Sequence, residues 1–549
     1  MKADHPSRNN ALSYNLTLVF MPEAYPSSPP QAVAPSLRRP LVLLLLLLAA
    51  LPFLPVLGGY FLADDFGTVQ KLHRVGPAEL LRFFAADWSL DIWGFPLRQL
   101  RPIVAISYRL DALFWNLNPF GYHLTNLLVH LLNCLLVFCI ARALCGDVPG
   151  VPLLAAAFFA LAPVHAEAVS WISGRVDLFA ALFCLSSFFF FLRFVSSGGR
   201  PHYLLSLLAF TFGLFSKESS VTLPILLALY WVLYRPRRSP AALLPFFLIL
   251  ALYMSLRTLL FPSALTSADM NTATLQEFLP RQLFYLAQLL FPTSPLDVPA
   301  LRAAVIFLLA AGLVLGRAHL RHLTFAGPIW YFPAILPLVV TYPTERHLYF
   351  ASAGVSIVLA LACSGFGGAL RVAPCLWLLL YGASLCASNL RWVAFGRLSW
   401  EIKKAVETHA AALPAGSVII LGPVPEGPEV NPTPNRTLVT PWDCGLPFAL
   451  QQPFSGVYAR HTLIEPPELV CRRDWWETRG PLLQQALASP VHVLNWHPDT
   501  RAPAFHTLSP ERVKIVHEQV LNRPFGATPL SEEEAMELLG SLQQTGLPE

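Results

Sequence analysis

Residues 41–57 read LVLLLLLLAALPFLPVL, the first apolar run that is long enough to cross a bilayer core. A membrane-spanning helix needs about 17 to 25 such residues. Similar runs recur up to residue 388. Charged residues make up 13% of this 549-residue chain, whereas soluble domains carry about 25%. The pattern predicts a polytopic α-helical membrane protein.

The apolar runs predict about eleven membrane spans, of which some are short and would need tilt or flanking residues to cross the bilayer core. They lie at 41–61, 122–144, 151–164, 178–195, 202–215, 221–234, 241–260, 301–316, 323–341, 349–367 and 373–388. The segment 281–298 is ambiguous between a span, a re-entrant hairpin and an interfacial helix. We count it as non-spanning, because the distribution of basic loops is then consistent.

The chain divides into three parts by composition. Residues 1–38 are polar and rich in Pro and Ser, which is typical of a disordered cytoplasmic tail. Residues 39–390 form the transmembrane domain, and its first span is interpreted as a retained signal anchor. Residues 391–549 predict a small soluble α/β domain, because 415–424 has a strand pattern and 532–544 is typical of an amphipathic helix.

Basic loops predict the orientation of the spans. The basic connections are 37–39, 196–202, 234–240 and 316–322. The positive-inside rule assigns such loops to the cytoplasm. The remaining loops and the C-terminal domain then face the outer side. Because the net charge of +5 is spread over short loops, it gives no indication of nucleic-acid binding.

The cysteines show no metal-ligand spacing, and most of them lie in apolar runs, where small buried side chains are common. Cys444 and Cys471 are the two in the C-terminal domain. If that domain is extracytoplasmic, they could pair or stay free, and both readings remain open.

Two adjacent carboxylates, Asp64 and Asp65, follow the first span directly. Such a pair beside the membrane is a candidate general base for an acceptor hydroxyl, or a cation site. A solvated loop start is the simpler alternative. The second span carries His123, Asn126, His130 and Asn133 at helical spacing on one face. That stripe fits a wet cavity or interhelical hydrogen bonds equally well.

Three further groups of charged residues lie on the predicted outer side. They are His165, Glu167, Arg175 and Asp177; Lys217 and Glu218; and Glu345 and Arg346. Their cations could hold the phosphate of a lipid-linked substrate. For any one residue, ion pairing between helix ends is the more common role. His165, Glu167 and Asp64 are a further candidate site for a divalent cation, although their spacing matches no known metal motif.

Six segments occur in an order that resembles a known family. They are the acidic pair, RPIVAISYRLDALFWNLNPFGYHLTNLLVH (101–130), LAPVHAEAVSWISGRVDLFAALF (161–183), FSKESS (215–220), LLFPTSPLDV (289–298) and TERHLYFASAG (344–354). Together they resemble the membrane core of the transmembrane O-mannosyltransferases that carry TPR repeats. They are more distantly similar to the protein O-mannosyltransferases and other GT-C glycosyltransferases.

The resemblance implies inverting transfer of a sugar, mannose-like, from a polyprenyl-phosphate donor on the outer face of the membrane. It assigns the catalytic base to Asp64 or Asp65. It places donor or substrate contacts at Arg101, His123, His165, Glu167, Arg175, Asp177, Lys217, Glu218, Glu345 and Arg346. The C-terminal domain departs from the family, because it has no TPR period.

A transporter and a non-catalytic scaffold are the two alternative functions. A transporter would carry polar residues near the bilayer midplane and internal repeats. A non-catalytic scaffold would use the C-terminal domain to bind a partner. The charged outer loops favour the enzyme, acting on a protein or glycan acceptor. The compact loops favour a bacterial inner membrane.

Overall fold

The structure is a computed structural model that describes residues 39–93, 97–261, 275–291, 299–340, 344–421, 446–464, 491–497 and 502–508. The N-terminal tail, Cys444, Cys471 and the predicted helix at 532–544 lie outside the described residues, so the predictions made for them remain predictions.

The first part of the membrane domain is built from ten helices. In chain order they are α1 Arg39–Ala50, α2 Asp64–Leu72, α3 Pro77–Arg82, α4 Trp88–Trp93, α5 Pro102–Trp115, α6 Pro119–Cys145, α7 Val151–Leu161, α8 His165–Ser170, α9 Arg175–Ser197 and α10 Arg200–Leu214. Short 3₁₀ helices at Leu51–Gly58 and Ile172–Gly174 extend α1 and precede α9.

Local sequence explains several helix ends. The side chain of Asn118 accepts a hydrogen bond from the backbone N–H of Phe120 and caps α6, whose first residue is Pro119. Gly198 ends α9 with a φ of 75°, a left-handed conformation that glycine adopts without a steric penalty.

Among the described residues after α10, ten more helices follow. They are α11 Leu223–Tyr234, α12 Leu244–Leu260, α13 Leu275–Leu290, α14 Pro299–Leu315, α15 Leu320–Thr324, α16 Trp330–Ile335, α17 Tyr349–Ser364, α18 Ala373–Ala412, α19 Leu446–Ala449 and α20 Val457–Arg460. Further 3₁₀ helices lie at Glu218–Thr222, Pro240–Leu243, Gly316–His319, Leu336–Val340, Glu345–Leu348 and Gly368–Val372, and a π-helical turn at Phe325–Ile329.

Each of the eleven predicted apolar runs falls on a helix or on a series of short helices. Within the described ranges, six helices are long and apolar enough to cross a membrane, judged by length and composition. The pair Pro299–Leu315 and Arg317–Leu338, bent by 67°, would make a seventh. A helical membrane protein is therefore confirmed, while the count of eleven spans remains a prediction, because helices such as α7 and α11 are shorter.

The predicted strand at 415–424 is present as β1 Val418–Leu421. It lies in a four-stranded sheet with β2 Thr462–Ile464, β3 Val491–His497 and β4 Ala502–Leu508, in the order β2-β1-β3-β4. β1 pairs in parallel with β2 and β3, and β3 pairs antiparallel with β4. Because most of 391–549 beyond α18 lies outside the described residues, the α/β domain remains a prediction.

The described C-terminal segment packs on α2, directly after the first span. The ring of Phe454 lies 5.3 Å from that of Phe61 and 5.2 Å from that of Phe66. The side-chain amide of Gln70 donates to the side-chain oxygen of Gln451 at 3.2 Å. The C-terminal segment thus lies at the same end of the membrane domain as Asp64.

Three of the basic loops meet at the opposite end. The guanidinium of Arg238 lies against Gly198, at the end of α9. Arg321 donates to the carbonyl of Tyr234 at 3.0 Å, and the hydroxyl of Tyr234 lies 2.9 Å from Nδ1 of His322. Helix α9 therefore runs from the end that carries Asp177 to the end that carries the basic loops 196–202, 234–240 and 316–322.

Candidate active site

A cavity of about 400 Å³ opens at the Asp64 end of the membrane domain. Its polar wall includes six of the residues named from sequence: Asp64, Arg101, Asp177, Lys217, Glu218 and Arg346. These residues come from α2, the loop before α5, α9, the loop after α10 and the 3₁₀ helices at 218–222 and 345–348. Segments far apart in sequence therefore converge on one site.

The two adjacent aspartates have different environments. Asp65 is completely buried, and its Oδ2 accepts a hydrogen bond from the N–H of Leu62 at 3.0 Å. Its Oδ1 accepts from the N–H of Ser173 at 2.9 Å and from its hydroxyl at 2.6 Å. Asp64 is partly exposed and lines the cavity. The geometry favours Asp64 as the carboxylate that can reach a substrate.

Burial raises the pKa of the Asp65 carboxyl group. Desolvation raises the pKa of its carboxyl to about 7, although the hydrogen bonds from Ser173 and Leu62 oppose the shift. The preceding residue, Ala63, has a φ of 41°, an uncommon conformation for a residue other than glycine. Such strain costs about 1–3 kcal/mol and is often found at functional sites.

Two carboxylates hold four cations in place around the cavity. Glu218 bridges Arg101 at 3.2 Å and Arg257 at 3.4 Å. Asp177 contacts Nζ of Lys217 at 2.5 Å and Nε of Arg346 at 3.7 Å. Each carboxylate thereby fixes two cationic groups that would otherwise repel each other.

Arg346 is the most constrained of these cations. Its Nη1 lies 2.5 Å from Oε1 of Glu167, and its backbone N–H donates to Oε2 of the same carboxylate at 3.1 Å. Its guanidinium also lies 4.8 Å from the ring centroid of Trp171, within cation–π range. Glu167 is therefore a support for Arg346 and is not part of the cavity wall.

Lys217 is buried beside these charges. Desolvation lowers the pKa of its ammonium group to about 8, although the neighbouring Asp177 carboxylate opposes the shift. A lysine with this pKa is mostly charged at neutral pH and can lose its proton in mildly alkaline solution.

Arg257 belongs to the site but was missed by the sequence analysis. It lies in the last turn of α12, is buried, and lines the cavity. It is the only charged residue in the apolar run 241–260. An ionisable residue inside an apolar span is by default a candidate functional residue, so a usable signal was present in the sequence.

Several residues named from sequence do not line the cavity. Arg175 is completely buried, pairs with Asp111 at 2.7 Å, and lies over the ring of Tyr108 at 4.1 Å. Glu345 is buried in the 3₁₀ helix that carries Arg346. We therefore leave Arg175 and Glu345 out of the proposed donor site.

Three of the four side chains of the polar stripe on α6 form hydrogen bonds with neighbouring segments. Asn126 donates to the carbonyls of Val169, Trp171 and Ile172. His130 Nδ1 lies 2.7 Å from the hydroxyl of Tyr349, and Asn133 contacts the same hydroxyl. His123 is buried beside Gly59. Interhelical hydrogen bonding, one of the two readings of the stripe, matches these contacts.

The residues considered for a divalent cation have other partners. His165 Nε2 lies 2.7 Å from the hydroxyl of Ser352, and Glu167 holds Arg346. In the described part of the chain, no group of three or more His, Cys, Asp or Glu side chains has an arrangement that could hold a metal ion. The charged groups of the cavity wall are Arg, Lys and carboxylate side chains.

One side of the cavity is apolar. Val176, Ala180, Ala181 and Cys184 line it from one face of α9, at helical spacing. Met254, Leu336, Leu338 and Phe350 add to this wall. The site therefore joins a charged end to an apolar flank that follows a membrane helix.

Part of the chain, including several residues of the cavity wall, matches the model of a protein family. The family model described as dolichyl-phosphate-mannose-protein mannosyltransferase matches residues 105–263. That segment contains α6 to α12 together with Asp177, Lys217, Glu218 and Arg257.

Individual relatives extend the match. The chain is 30% identical over 269 residues to protein O-mannosyl-transferase Tmtc1 of Drosophila melanogaster, covering 44% of this chain and 31% of the relative. It is 25% identical over 381 residues to protein O-mannosyl-transferase F38B6.6 of Caenorhabditis elegans, covering 66% and 52%. The chain thus spans about a third and about half of these two proteins. The resemblance to the transmembrane O-mannosyltransferases, and with it to membrane glycosyltransferases of the GT-C type, is confirmed.

A solved structure also aligns with the chain. It is ArnT from Cupriavidus metallidurans bound to undecaprenyl phosphate, 14% identical, with a TM-score of 0.48, covering 84% of this chain and 94% of that one.

Proposed function

We propose that this protein is a membrane glycosyltransferase. It moves a mannose-like hexose from a polyprenyl-phosphate donor to a hydroxyl group of a protein or glycan acceptor. The observation that carries the proposal is the cavity, where the Asp64 carboxylate and four cationic side chains share a wall with an apolar face of α9. That combination suits an amphipathic substrate with an anionic head and a hydrocarbon tail.

The cations would bind the donor phosphate. Arg101, Lys217, Arg257 and Arg346 all line the cavity, and Arg and Lys are the side chains that best neutralise phosphate oxygens. Their carboxylate partners fix them before substrate binds. Fixed charges of this kind stabilise the negative charge that develops on a leaving phosphate.

The apolar wall would take the lipid. Ala180 and Ala181 are small and leave room beside α9, and the wall continues through Cys184 towards the membrane interior. A polyprenyl chain that leaves the surrounding lipid for this wall gains van der Waals packing rather than a hydrophobic transfer energy. A few isoprene units in this position would anchor the donor.

Asp64 would act as the general base. It removes the proton of the acceptor hydroxyl as that oxygen bonds to the anomeric carbon of the donor sugar. The bond from the anomeric carbon to the phosphate oxygen breaks, and its electron pair leaves with the polyprenyl phosphate. Attack from the side opposite the phosphate inverts the anomeric centre, as the family resemblance implies.

The site would face the outer side of the membrane, with the C-terminal domain extracytoplasmic. The cavity lies at the end of α9 opposite the basic loops, which the positive-inside rule assigns to the cytoplasm. The described C-terminal segment packs at the cavity end. We place the protein in a bacterial inner membrane on the basis of its compact loops.

The test is sugar transfer from polyprenyl-phosphate hexoses by purified protein in lipid. Asp64→Asn should lower the rate by about 10²- to 10⁴-fold, the usual contribution of a general base, with an unchanged melting temperature. Asp91→Asn is the matched control, since Asp91 pairs with Arg82 outside the cavity. Full activity of Asp64→Asn, or no transfer by the wild type with any hexose donor, would contradict the proposal.

A further inference from the structure

The loop before α5 presents alternate residues to the cavity. Leu97, Gln99 and Arg101 line it, whereas Leu100 is completely buried on the other side of the chain. Gln99 therefore shares the cavity face with Arg101, one of the proposed phosphate ligands.

Asp87 fixes the backbone of this loop. Its Oδ1 accepts hydrogen bonds from the N–H groups of Ser89 at 3.0 Å and Gln99 at 3.1 Å. Its Oδ2 accepts from the N–H of Arg98 at 2.6 Å. Arg98 has a φ of 59°, so these bonds hold a turn that most side chains disfavour. Gln99 is consequently held at a defined position.

Trp88 fixes the side-chain amide of Gln99. The indole Nε1–H of Trp88 donates to Oε1 of Gln99 at 3.0 Å. An indole nitrogen only donates, so this bond determines which end of the amide is the oxygen. Within the described residues, Nε2 of Gln99 has no hydrogen-bond partner. The group that Gln99 can offer to the cavity is therefore an NH₂ donor.

We infer that Gln99 is a sugar-recognition residue that donates a hydrogen bond to a hydroxyl oxygen of the transferred hexose, with Trp88 as its positioning residue. The inference rests on the proposed function. Four cations line the same cavity, and they would bind the donor phosphate more strongly than an uncharged amide can. A neutral, fixed donor fits a neutral hydroxyl, and such a contact distinguishes one hexose from another.

The experiment compares the binding of two ligands, a polyprenyl-phosphate hexose and the same polyprenyl phosphate without sugar, to purified protein in nanodiscs. Gln99→Met keeps the length of the side chain and removes the donor. It should weaken binding of the hexose ligand by about 5- to 10-fold, as expected for one hydrogen bond, and leave the sugar-free ligand unchanged. Trp88→Phe should give a smaller loss in the same direction.

The matched control is Gln70→Met. Gln70 bonds to Gln451 and Gln452 outside the cavity, so neither ligand should be affected. Equal weakening of both ligands by Gln99→Met would place the contact on the phosphate and overturn the sugar assignment, and no effect on either would also overturn it. Transfer by the wild type is measured separately, so that a failure of the proposed enzyme activity is distinguished from a failure of this inference.

Discussion

Oδ1 of Asp65 accepts two hydrogen bonds from Ser173, one from the backbone N–H at 2.9 Å and one from the hydroxyl at 2.6 Å. This contact joins the start of α2, just after the first span, to the 3₁₀ helix before α9. Ser173 also lines the cavity. We therefore propose that Asp65 positions its neighbour Asp64, whereas Asp64 contacts the substrate.

Replacing Ser173 with Ala should loosen this contact without removing it. The backbone N–H remains, so the loss is one buried hydrogen bond to a charged or polar acceptor, about 1–3 kcal/mol of unfolding free energy. Thermal unfolding in detergent measures the change. Ser196→Ala is the control, because the Ser196 hydroxyl bonds within α9, and it should change stability little. Ser89→Ala is unsuitable, because Ser89 bonds to Asp87 in the cavity loop.

Asp65 should make stability depend on pH. The pKa of its carboxyl is raised to about 7 in the folded protein, so the folded state binds a proton more tightly than the unfolded chain does. The unfolding free energy should therefore fall as pH rises from about 4 to 7, by up to about 1.4 kcal/mol per pH unit, and level off above 7.

The measurement for Asp65 is the melting temperature across that pH range, for the wild type and Asp65→Asn. The variant is expected to be less stable, because the Asn amide nitrogen cannot accept the hydrogen bond from Leu62, and its curve should be flatter between pH 4 and 7. Parallel curves for the two proteins would contradict the assignment.

Lys217 should control the alkaline side of the activity profile. Burial lowers the pKa of its ammonium group to about 8, so the free enzyme loses a phosphate-binding charge as pH rises through 8. We expect kcat/KM for the donor to fall above pH 8 in the wild type. In Lys217→Arg the side chain stays charged, so the fall should shift to higher pH, even if the rate at pH 7 is lower. Lys71→Arg, at an exposed pair with Glu79, should keep the wild-type profile.

Arg257 should contribute to donor binding. Arg257→Met removes one of the two cations on Glu218 and should raise KM for the donor by about 10- to 100-fold, in line with the loss of one charge-assisted contact to phosphate. Arg82→Met is the control, because Arg82 is exposed and lies outside the cavity. Unchanged KM and kcat in a folded Arg257→Met protein would remove Arg257 from the donor site.

The ion pair between Arg175 and Asp111 should stabilise the folded protein and not bind the donor. Arg175→Met leaves the buried Asp111 carboxylate without its ion-pair partner, and breaking such a pair costs about 3–5 kcal/mol. The double variant Arg175→Met with Asp111→Leu should recover much of that loss, because no lone charge stays buried. Thermal unfolding of the single and double variants tests this, and a stable Arg175→Met protein with a raised donor KM would return Arg175 to the donor site.

The two adjacent aspartates show where sequence reasoning reached its limit. The sequence named both Asp64 and Asp65 as candidates for the base, and their position after the first span is where the structure has the cavity. It could not rank them, because the ranking depends on Ser173, a residue more than a hundred positions away that buries one carboxylate and not the other.

The arginines show the same limit. Arg175 and Arg346 look alike in sequence, each near a carboxylate in a loop between apolar runs. Only the packing of α5 and α6 around Arg175 encloses it with Asp111, while Arg346 stays at the cavity wall. The role of the polar stripe on α6 could not be assigned from the sequence either, because it depends on the partners that neighbouring segments provide.

The sequence by itself determined that the chain is a helical membrane protein, because the hydrophobic effect acts on runs of residues that can be read along the chain. It also determined which loops between the apolar runs carry the charges. The tertiary structure decided which of those charges face a common cavity and which are enclosed between helices. Charge pairing and burial depend on distances between segments remote in sequence, and only the packing of the helices sets those distances.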